Sequence, residues 1–472
     1  MDILSLFYQD IYHYLYKNEK LNFSYICKYI RINLLTNNML ELSLNKIYSL
    51  EYIQNNHFKK RLKYHGKINS LNLSNYNISN VILENCPNIN MTGSTINNIL
   101  FIGNFHTLQL SYTNITNISY LGNIYDLNLS HSLIEVIYNI GNIHILNLSN
   151  TNIKDVSQLS NVYNLNLSHT PVEDVSNLGN VHILNLSQTY VTNISFLKNV
   201  HTLDLKYTNV TDISGLDNIH SLNLELTPII NISSLKTIHT LNISHTNISD
   251  ISNLTSAHTL ILVNTLINDI SSVSNVQMLD ISLTQIKDIS HLTNLYYLEA
   301  VDTPYINTLS CRTLYNLTIT NIINVSHLGY LHTLNLSHSA VIDVSALGNI
   351  YNLNLSYTKI LNVSSLGNVH DLNLSHTNVT DVSSLGNVYK LNLSYTKVIN
   401  VSALGNVYDL NLSHTNVIDV SSLGNVYNLN LSDTKIIDIS ALTNVNTLNI
   451  LNTKITNISS YLNLNKTLIF NL

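Results

Sequence analysis

The 472-residue sequence has 11% charged residues, no tryptophan and 29 tyrosines, so its polar surface must come mostly from Asn, Ser, Thr, Tyr and His. Residues 1–70 carry ten Lys or Arg and five Asp or Glu, a net charge of +5, whereas residues 71–472 carry twelve and 23, a net charge of −11, which argues against nucleic-acid binding by the long part. Cys27, Cys86 and Cys311 lie far apart and outside metal-ligand spacing, and no apolar run could span a bilayer, so we expect a cytoplasmic protein without disulfides, metals, cofactors or membrane contact.

The N-terminal segment, residues 1–70, is predicted to be helical. Residues 3–32 are rich in Leu, Ile, Tyr and Phe at helical spacing and contain no Pro or Gly. Ile11, Tyr14 and Leu15 mark one apolar face, and Phe23, Ile26 and Ile30 mark another, which predicts two or three short helices. The first twenty residues lack the basic start and apolar core of a signal peptide. The simplest role for the segment is a cap on the open end of the repeats that follow.

The same segment resembles a degenerate F-box. In "DIYHYLYKNEKLNFSYICKYI", Ile11, Tyr14 and Leu15 match the first apolar helix of that family, and Ile26-Cys27-Lys28 matches its Val-Cys-Lys signature. Ile3-Leu4 stands in place of the usual Leu-Pro opening, and the Trp after the signature is lacking. The resemblance implies that the segment docks to a ubiquitin-ligase adaptor through Ile11, Tyr14, Leu15, Phe23, Ile26 and Cys27. The cap and the F-box remain alternatives.

From residue 71 onward the sequence repeats itself every 19 residues. If the first Leu of "LNLS" is position one, repeats begin at Leu71 and Ile89, then every 19 residues from Leu108 to Leu317, and again from Leu334 to Leu448, which gives 21 repeats. The spacing is 18 residues after Leu71 and 17 after Leu317. The short unit leaves Asn321 alone at a corner that three residues normally cover, which predicts a tightened turn there.

Each repeat combines two apolar periods. In the repeat that begins at Leu372, positions one and three alternate like a strand with one buried face, and the next apolar residues follow at steps of about three, as in tight 3₁₀-like turns. One coil cannot close its own core, but parallel coils stacked about 4.8 Å apart can. The buried positions are then Leu372, Leu374, Val379, Val382, Leu385 and Val388.

The pattern L-x-L-x-x-[NT]-x-[IV]-x-[DN]-[IV]-S-x-L resembles leucine-rich repeats, especially the short type of the internalins, and it covers about 85% of the chain, residues 71–472. The resemblance implies an α/β-type solenoid with a parallel sheet on its concave face, preceded by the small α-helical segment. Position six, usually Asn in that family, is mostly Thr or Ser here, as in Thr377. We expect these hydroxyls to satisfy the backbone at the corner of each coil.

Histidines invite a metal or catalytic interpretation, because the sequence has twenty of them. Most occupy positions 5 and 18 of the repeats, where Tyr389 or Tyr408 replaces His without any other change. A column that accepts either ring predicts a solvated stacking ladder, with metal binding along His182–His258 as the alternative. Catalysis needs a unique constellation, whereas each Ser, His and Asp recurs at a fixed position, so we do not expect an enzyme.

The concave face is expected to present Asn and Ser at positions two and four, as in Asn373 and Ser375. Leucine-rich repeat proteins commonly bind partners there, but nearly identical rows give little specificity. The repeats between residues 203 and 333 vary more, and we predict the partner site among them. The candidate residues are Asn223, Glu225, Leu226, Ile261, Val263, Asn264, Glu299, Val301 and Asp302.

Together these patterns predict a helical segment at 1–70 followed by one solenoid at 71–472, monomeric and acting through protein contacts. The combination of a degenerate F-box start with Asn- and Ile-rich repeats resembles proteins of giant DNA viruses of amoebae. The leading hypothesis is a receptor in the host cytoplasm that carries a host protein to a ubiquitin ligase. The main alternative is an interaction scaffold without a ubiquitin link, and an extracellular adhesin of internalin type ranks third.

Overall fold

The computed structural model describes residues 70–470, with gaps at 76, 80–81, 85–86, 98–99, 103–104, 119–122, 139–140, 217, 236, 305, 307–312, 456–457 and 459–466. The predicted helices, the F-box-like residues and the boundary at residue 70 lie outside or at the edge of this range and stay predictions. The chain divides into two compact units, one ending at Asp204 and one beginning at Leu205. In the described part, no helix is long and apolar enough to cross a membrane.

The unit that ends at Asp204 is built around one parallel sheet of β1, β4, β7, β9 and β11–β14, in that order, with the pairs β2–β5, β3–β6 and β8–β10 beside it. A 3₁₀ helix covers Ser157–Leu159. The strands are β1 (Ser70–Asn72), β2 (Asn77–Ser79), β3 (Ile82–Glu84), β4 (Asn88–Asn90), β5 (Thr95–Asn97), β6 (Leu100–Ile102), β7 (Phe105–Gln109), β8 (Asn117–Ile118), β9 (Ile124–Asn128), β10 (Val136–Ile137), β11 (Ile143–Asn147), β12 (Asn164–Asn166), β13 (Ile183–Asn185) and β14 (Thr202–Asp204).

In the unit that begins at Leu205, β15–β28 pair in chain order, all parallel. Two 3₁₀ helices cover Ser421–Leu423 and Ser440–Leu442. The strands are β15 (Ser221–Asn223), β16 (Thr240–Asn242), β17 (Thr259–Ile261), β18 (Met278–Asp280), β19 (Tyr297–Ala300), β20 (Asn316–Ile319), β21 (Thr333–Asn335), β22 (Asn352–Asn354), β23 (Asp371–Asn373), β24 (Lys390–Asn392), β25 (Asp409–Asn411), β26 (Asn428–Asn430), β27 (Thr447–Asn449) and β28 (Thr467–Ile469).

The register confirms the predicted period, because the first leucine of one repeat pairs with that of the next. Leu353 faces Leu372, and Leu372 faces Leu391. All six predicted core positions of the Leu372 repeat are at most 3% exposed. The predicted tight turns also form, since the Leu385 N–H donates to the Val382 carbonyl at 3.0 Å and the Val388 N–H donates to the Leu385 carbonyl at 3.1 Å. The predicted parallel solenoid is therefore confirmed.

The corner after each strand is closed by the buried hydroxyl at position six. The Thr377 Oγ1 donates to the Leu374 carbonyl at 2.6 Å, and the same bond recurs from Thr113 to Thr434. Two serines in the described chain differ: the Ser94 Oγ donates to the Leu73 carbonyl of the preceding coil at 2.7 Å, and the buried Ser339 Oγ has no partner. The predicted role of these hydroxyls is confirmed, and from Thr113 to Thr434 the bonds lie inside their own coils.

Position five supplies the sharp bend of the corner. Nineteen non-glycine residues adopt a left-handed φ between 52° and 64°, from Asn75 to Asn452, and the repeat at Ile89 uses Gly93. Asn321, in the 17-residue repeat, is absent from this set. There the Ile322 N–H donates instead to the carbonyl of Thr320, only two residues back, at 3.1 Å. The tightened turn predicted for the short repeat is confirmed.

The turn after position ten is capped by a side chain that the sequence pattern did not single out. The Asp381 Oδ1 accepts the N–H of Ser383 at 3.0 Å, and Asn362 and Asn400 do the same one repeat before and after it. Position ten is therefore Asp or Asn because both side chains form this local turn. Ser383 supplies the N–H donor of this turn.

Candidate functional site

The concave face of the regular repeats is largely occupied by its own hydrogen bonds. The Asn373 Oδ1 accepts the N–H of Ser375 at 3.0 Å, and the same bond recurs in neighbouring coils. Ser375 is only 7% exposed, so the expectation that the face presents Ser at position four is wrong. The Asn and Ser columns hold the strand-to-corner turn and leave little variety for a partner to recognise.

Rings at positions 18 and 5 stack as predicted. In the first unit, the position-18 series runs from His106 to His201 with centroid distances of 4.6–5.0 Å. In the second unit, another series runs from Tyr296 to Tyr427, and a position-five series runs from His338 to His414. A ring in the middle of a stack offers mainly its edge to a partner.

The histidines proposed as an alternative metal site stack on one another. His239 lies 4.6 Å from His220 and 4.2 Å from His258, measured between ring centroids. Burial, together with the two neighbouring imidazoles, lowers the pKa of His239. Across the part of the chain that the structure describes, no group of three or more His, Cys, Asp and Glu side chains could hold a metal ion.

Three adjacent coils of the second unit break the monotony of the face. The register aligns Ile261, Asp280 and Glu299 in the position-two column, where Asn is the rule. Val263 and Val301 replace Ser in the position-four column and are half-buried. Met278 is 45% exposed and Leu283 is 47% exposed on the coil between them. We call these seven residues, with Asn264 and Asp302 at their edge, the middle patch.

The middle patch also concentrates negative charge. Burial raises the pKa of Glu299, and the nearby carboxyl of Asp280 adds to this shift, while a hydrogen bond from Tyr297 opposes it. Burial and the same hydrogen bond raise the pKa of Tyr297 to about 12. The carboxylate of Glu299 is thus held in a partly desolvated place beside a second acid, where an incoming cation would stabilise it.

Asn264 and Asp302 border the patch at position five, where both have φ of 52° and exposed side chains. The Asn264 Nδ2 lies 3.1 Å from the His245 Nδ1. The backbone N–H of Asp302 donates to the Thr320 Oγ1 at 2.8 Å. Because its carboxylate is exposed, Asp302 adds a further negative charge at the edge of the patch.

The remaining predicted residues lie one regular coil away from the patch. The Glu225 Oε2 forms an ion pair with the Lys206 Nζ at 2.9 Å, and Leu226 is 37% exposed. The Asn223 Oδ1 accepts the N–H of Glu225 at 3.1 Å, so Asn223 forms the same turn as other position-two asparagines. The intervening coil keeps the regular Asn242 and Ser244.

Sequence reasoning missed Met278, Asp280, Tyr297 and Leu283. Comparing the repeats column by column, including the residue before position one, would have found all four. Asp280 resembles the usual Asn of position two, because an Asp side chain can form the same turn. In the structure, its Oδ1 accepts the Ser282 N–H at 3.0 Å.

No family model and no curated protein matches the sequence. Solved structures do resemble it. A leucine-rich repeat protein of Leptospira interrogans is 20% identical, with a TM-score of 0.53 over 64% of this chain and 94% of its own. The TLR13–ssRNA13 complex is 16% identical, with a TM-score of 0.52 over 91% of this chain and 88% of the matched chain. The repeat register, the buried leucine positions and these two likenesses together show that the chain has the leucine-rich repeat fold.

Proposed function

We propose that the protein works by binding another protein through the middle patch. One observation carries the proposal: Ile261, Asp280 and Glu299 interrupt the Asn column on three consecutive coils, at the place where Met278 and Leu283 expose apolar surface. On most other described coils of this unit, positions two and four carry Asn and Ser. Binding energy concentrates in apolar anchors surrounded by polar groups, and the middle patch offers that combination.

The chemistry of the patch indicates the chemistry of its partner. Val263 and Val301 would take apolar side chains, and the carboxylates of Asp280, Glu299 and Asp302 would take Lys or Arg. Such a partner would offset the cost of keeping Glu299 ionised in a desolvated place. The matched TLR13 structure contains single-stranded RNA, but a cluster of carboxylates repels phosphate, so RNA is the disfavoured ligand for this chain.

The regular coils show which side chains fold normally at positions two and four, and these side chains are used in the test. A variant with Ile261→Asn, Val263→Ser, Asp280→Asn, Glu299→Asn and Val301→Ser restores the regular face. Wild type and variant, both full-length, are used for quantitative affinity capture with mass spectrometry. We expect a small set of proteins to be recovered by wild type and reduced about tenfold or more with the variant.

The control carries five substitutions on the same columns of regular coils: Asn354→Asp, Asn373→Asp, Ser375→Thr, Asn392→Asp and Ser394→Thr. It should recover the same proteins as wild type. Equal recovery by wild type and the restored variant would overturn the proposal, and so would loss with the control alone.

The link to a ubiquitin ligase is a finer proposal that rests on the sequence of residues 1–70. An F-box lays an apolar helical face against a groove of the adaptor, whereas a cap would bury the same residues against the first coil. The F-box proposal predicts that full-length protein binds purified adaptor and cullin, and that Leu15→Asp abolishes this binding while the repeats remain folded. Absence of adaptor binding, with loss of stability in Leu15→Asp, would favour the scaffold alternative. Action in the cytoplasm of a host cell belongs to the same proposal.

A further inference from the structure

A second unusual surface lies outside the concave face, at position nine of the repeats. This position follows the corner and is exposed. In seven consecutive coils of the second unit it carries six aliphatic side chains, each between 57% and 67% exposed, interrupted once by Thr380. We call it the apolar stripe; its members are Ile323, Ile342, Leu361, Ile399, Ile418 and Ile437. Ile323 is the equivalent residue of the 17-residue repeat, in which two residues are missing at the corner before it.

The apolar stripe is not required by the coil. The equivalent residues of other coils include Glu135, Glu173, Thr192 and Thr211, all exposed. Coils about 4.8 Å apart place neighbouring stripe side chains within contact distance, so the exposed aliphatic surface forms two rows of three side chains, one on each side of Thr380. Monomeric proteins rarely expose apolar patches larger than a few hundred Å². Six such side chains aligned on seven consecutive coils therefore call for a covering surface.

Charged rows run along both sides of the apolar stripe. Position seven carries the exposed Lys359, Lys397 and Lys435. Position ten, on the other side, carries Asp343, Asp381 and Asp419. The backbone N–H of the serine two residues later lowers the pKa of each of these three carboxyls, so the acidic row is ionised at neutral pH. The surface is apolar in the centre, basic on one side and acidic on the other.

We propose that the apolar stripe pairs with the stripe of a second copy of this chain, with the twofold axis running along the stripe. Two copies facing each other through this surface can be related by an axis along the stripe or by an axis across it. The axis along it places the lysine row of each copy opposite the aspartate row of the other. Because the named lysines and aspartates lie on alternate coils, Lys359 then lies between the levels of Asp343 and Asp381 of the second copy. The axis across it places like-charged rows together. Charge complementarity therefore selects a parallel dimer in which equivalent coils meet.

The sequence alone led to the expectation of a monomer, because regular repeats gave no reason to look at position nine. The dimer uses a surface separate from the middle patch, which stays open to its own partner. The two proposals therefore stand or fall independently.

Sedimentation velocity of the full-length protein over a wide concentration range tests the dimer. Wild type should sediment as a dimer. Ile399→Glu with Ile418→Glu should weaken the dimer about a hundredfold or more, because two charges would be buried against aliphatic surface. Glu at this position is native to the chain in Glu135 and Glu173, so these coils should still fold. The control Thr192→Glu with Thr211→Glu adds the same charges at the same position and should remain dimeric.

Two further variants test the charged rows and the orientation. Lys359→Asn, Lys397→Asn and Lys435→Asn together, which copy Asn378 and Asn416 of neighbouring coils, should weaken the dimer several-fold and flatten its salt dependence. Ile342→Cys and Ile437→Cys, made singly, should each form a disulfide with its own equivalent, beyond the background that wild-type cysteines give. Disulfides that form only when the two variants are mixed would show an antiparallel pairing and overturn the proposed axis.

A monomeric wild type overturns the proposal whichever other surface covers the stripe. Alkylation of Ile342→Cys in such a monomer shows whether the stripe is covered. The introduced thiol would be protected if another part of this chain covers the stripe, and would react if the stripe is free. Binding of the monomer to anionic lipid vesicles, lost in the Ile→Glu variant, would identify a membrane surface instead.

Discussion

At the scale of single residues, the fold depends on short local hydrogen bonds repeated in most coils. The hydroxyl at position six, the Asn or Asp at position two and the Asp or Asn at position ten each bond to backbone within three residues, as Thr377, Asn373 and Asp381 show. The sequence predicted the first of these roles but assigned Asn373 to the partner face. A polar side chain that bonds to its own backbone and one that faces a partner cannot be told apart in the repeat pattern, because either would recur at a fixed position.

The position-six hydroxyl can be tested with a matched pair of serines. The Ser132 Oγ donates to the Leu129 carbonyl at 2.6 Å, whereas the buried Ser339 Oγ has no partner. Ser132→Ala should therefore destabilise its coil by about 1 kcal/mol, the usual net value of a hydrogen bond, and Ser339→Ala should be close to neutral. Hydrogen exchange of each coil measures the two effects. Equal losses in both variants would show that the bond to Leu129 contributes nothing.

Acid should weaken the turns capped by aspartate. The N–H of the following serine lowers the pKa of Asp343, Asp381 and Asp419 from 3.8, so their contribution to stability is complete above that value and is lost as pH falls through the lower, folded-state pKa. Replacing all three by Asn keeps the acceptor, as Asn362 and Asn400 show, and removes the titration. The denaturation midpoint of the variant should fall less than that of wild type between pH 7 and pH 3. If the denaturation midpoints of wild type and variant fell by the same amount between pH 7 and pH 3, this account would be contradicted.

At the scale of the coil, the period alone predicted the strand, the core positions and the tight turns, because one coil buries its apolar face only against its neighbours. The short repeat at Leu317 was also predictable, since two missing residues must tighten the corner at Asn321. The left-handed φ at position five was not foreseen. His376, Tyr395 and Asp433 all adopt it, so no Gly or Asn pattern marked the bend.

Whole coils should be removable. Deleting residues 372–409, two complete repeats, joins Asp371 to Leu410 and recreates the Asp-Leu junctions already present at both ends. Because coils contact mainly their neighbours, we expect a shorter folded solenoid with unchanged circular dichroism per residue. Deleting only residues 372–381 puts the apolar columns out of register and should unfold adjacent coils. Equal loss of structure in both deletions, judged also by limited proteolysis, would refute the nearest-neighbour architecture.

At the scale of the molecule, function depends on departures from the repeat rather than on the repeat itself. The region between residues 203 and 333 was selected from the sequence because its columns vary, and the structure places Ile261 and Val263 on one side of the Asp280 coil and Glu299 and Val301 on the other. The apolar stripe was not singled out from the sequence, although the period already put Val341 in a core column and left Ile342 outside it. The structure shows how far Ile342 and its equivalents are exposed.

The most direct measurement is photo-crosslinking from equivalent positions inside and outside the proposed binding region. A photoreactive phenylalanine analogue replaces Asn264 or Leu283 in one pair of variants, and Tyr357 or Tyr395 in the other; all four are exposed position-five residues with φ of 52–60°. We predict that adducts with the captured partner form from Asn264 and Leu283 and are absent at Tyr357 and Tyr395. Adducts formed equally from all four positions, or from the two tyrosine positions alone, would contradict the middle patch as the binding site.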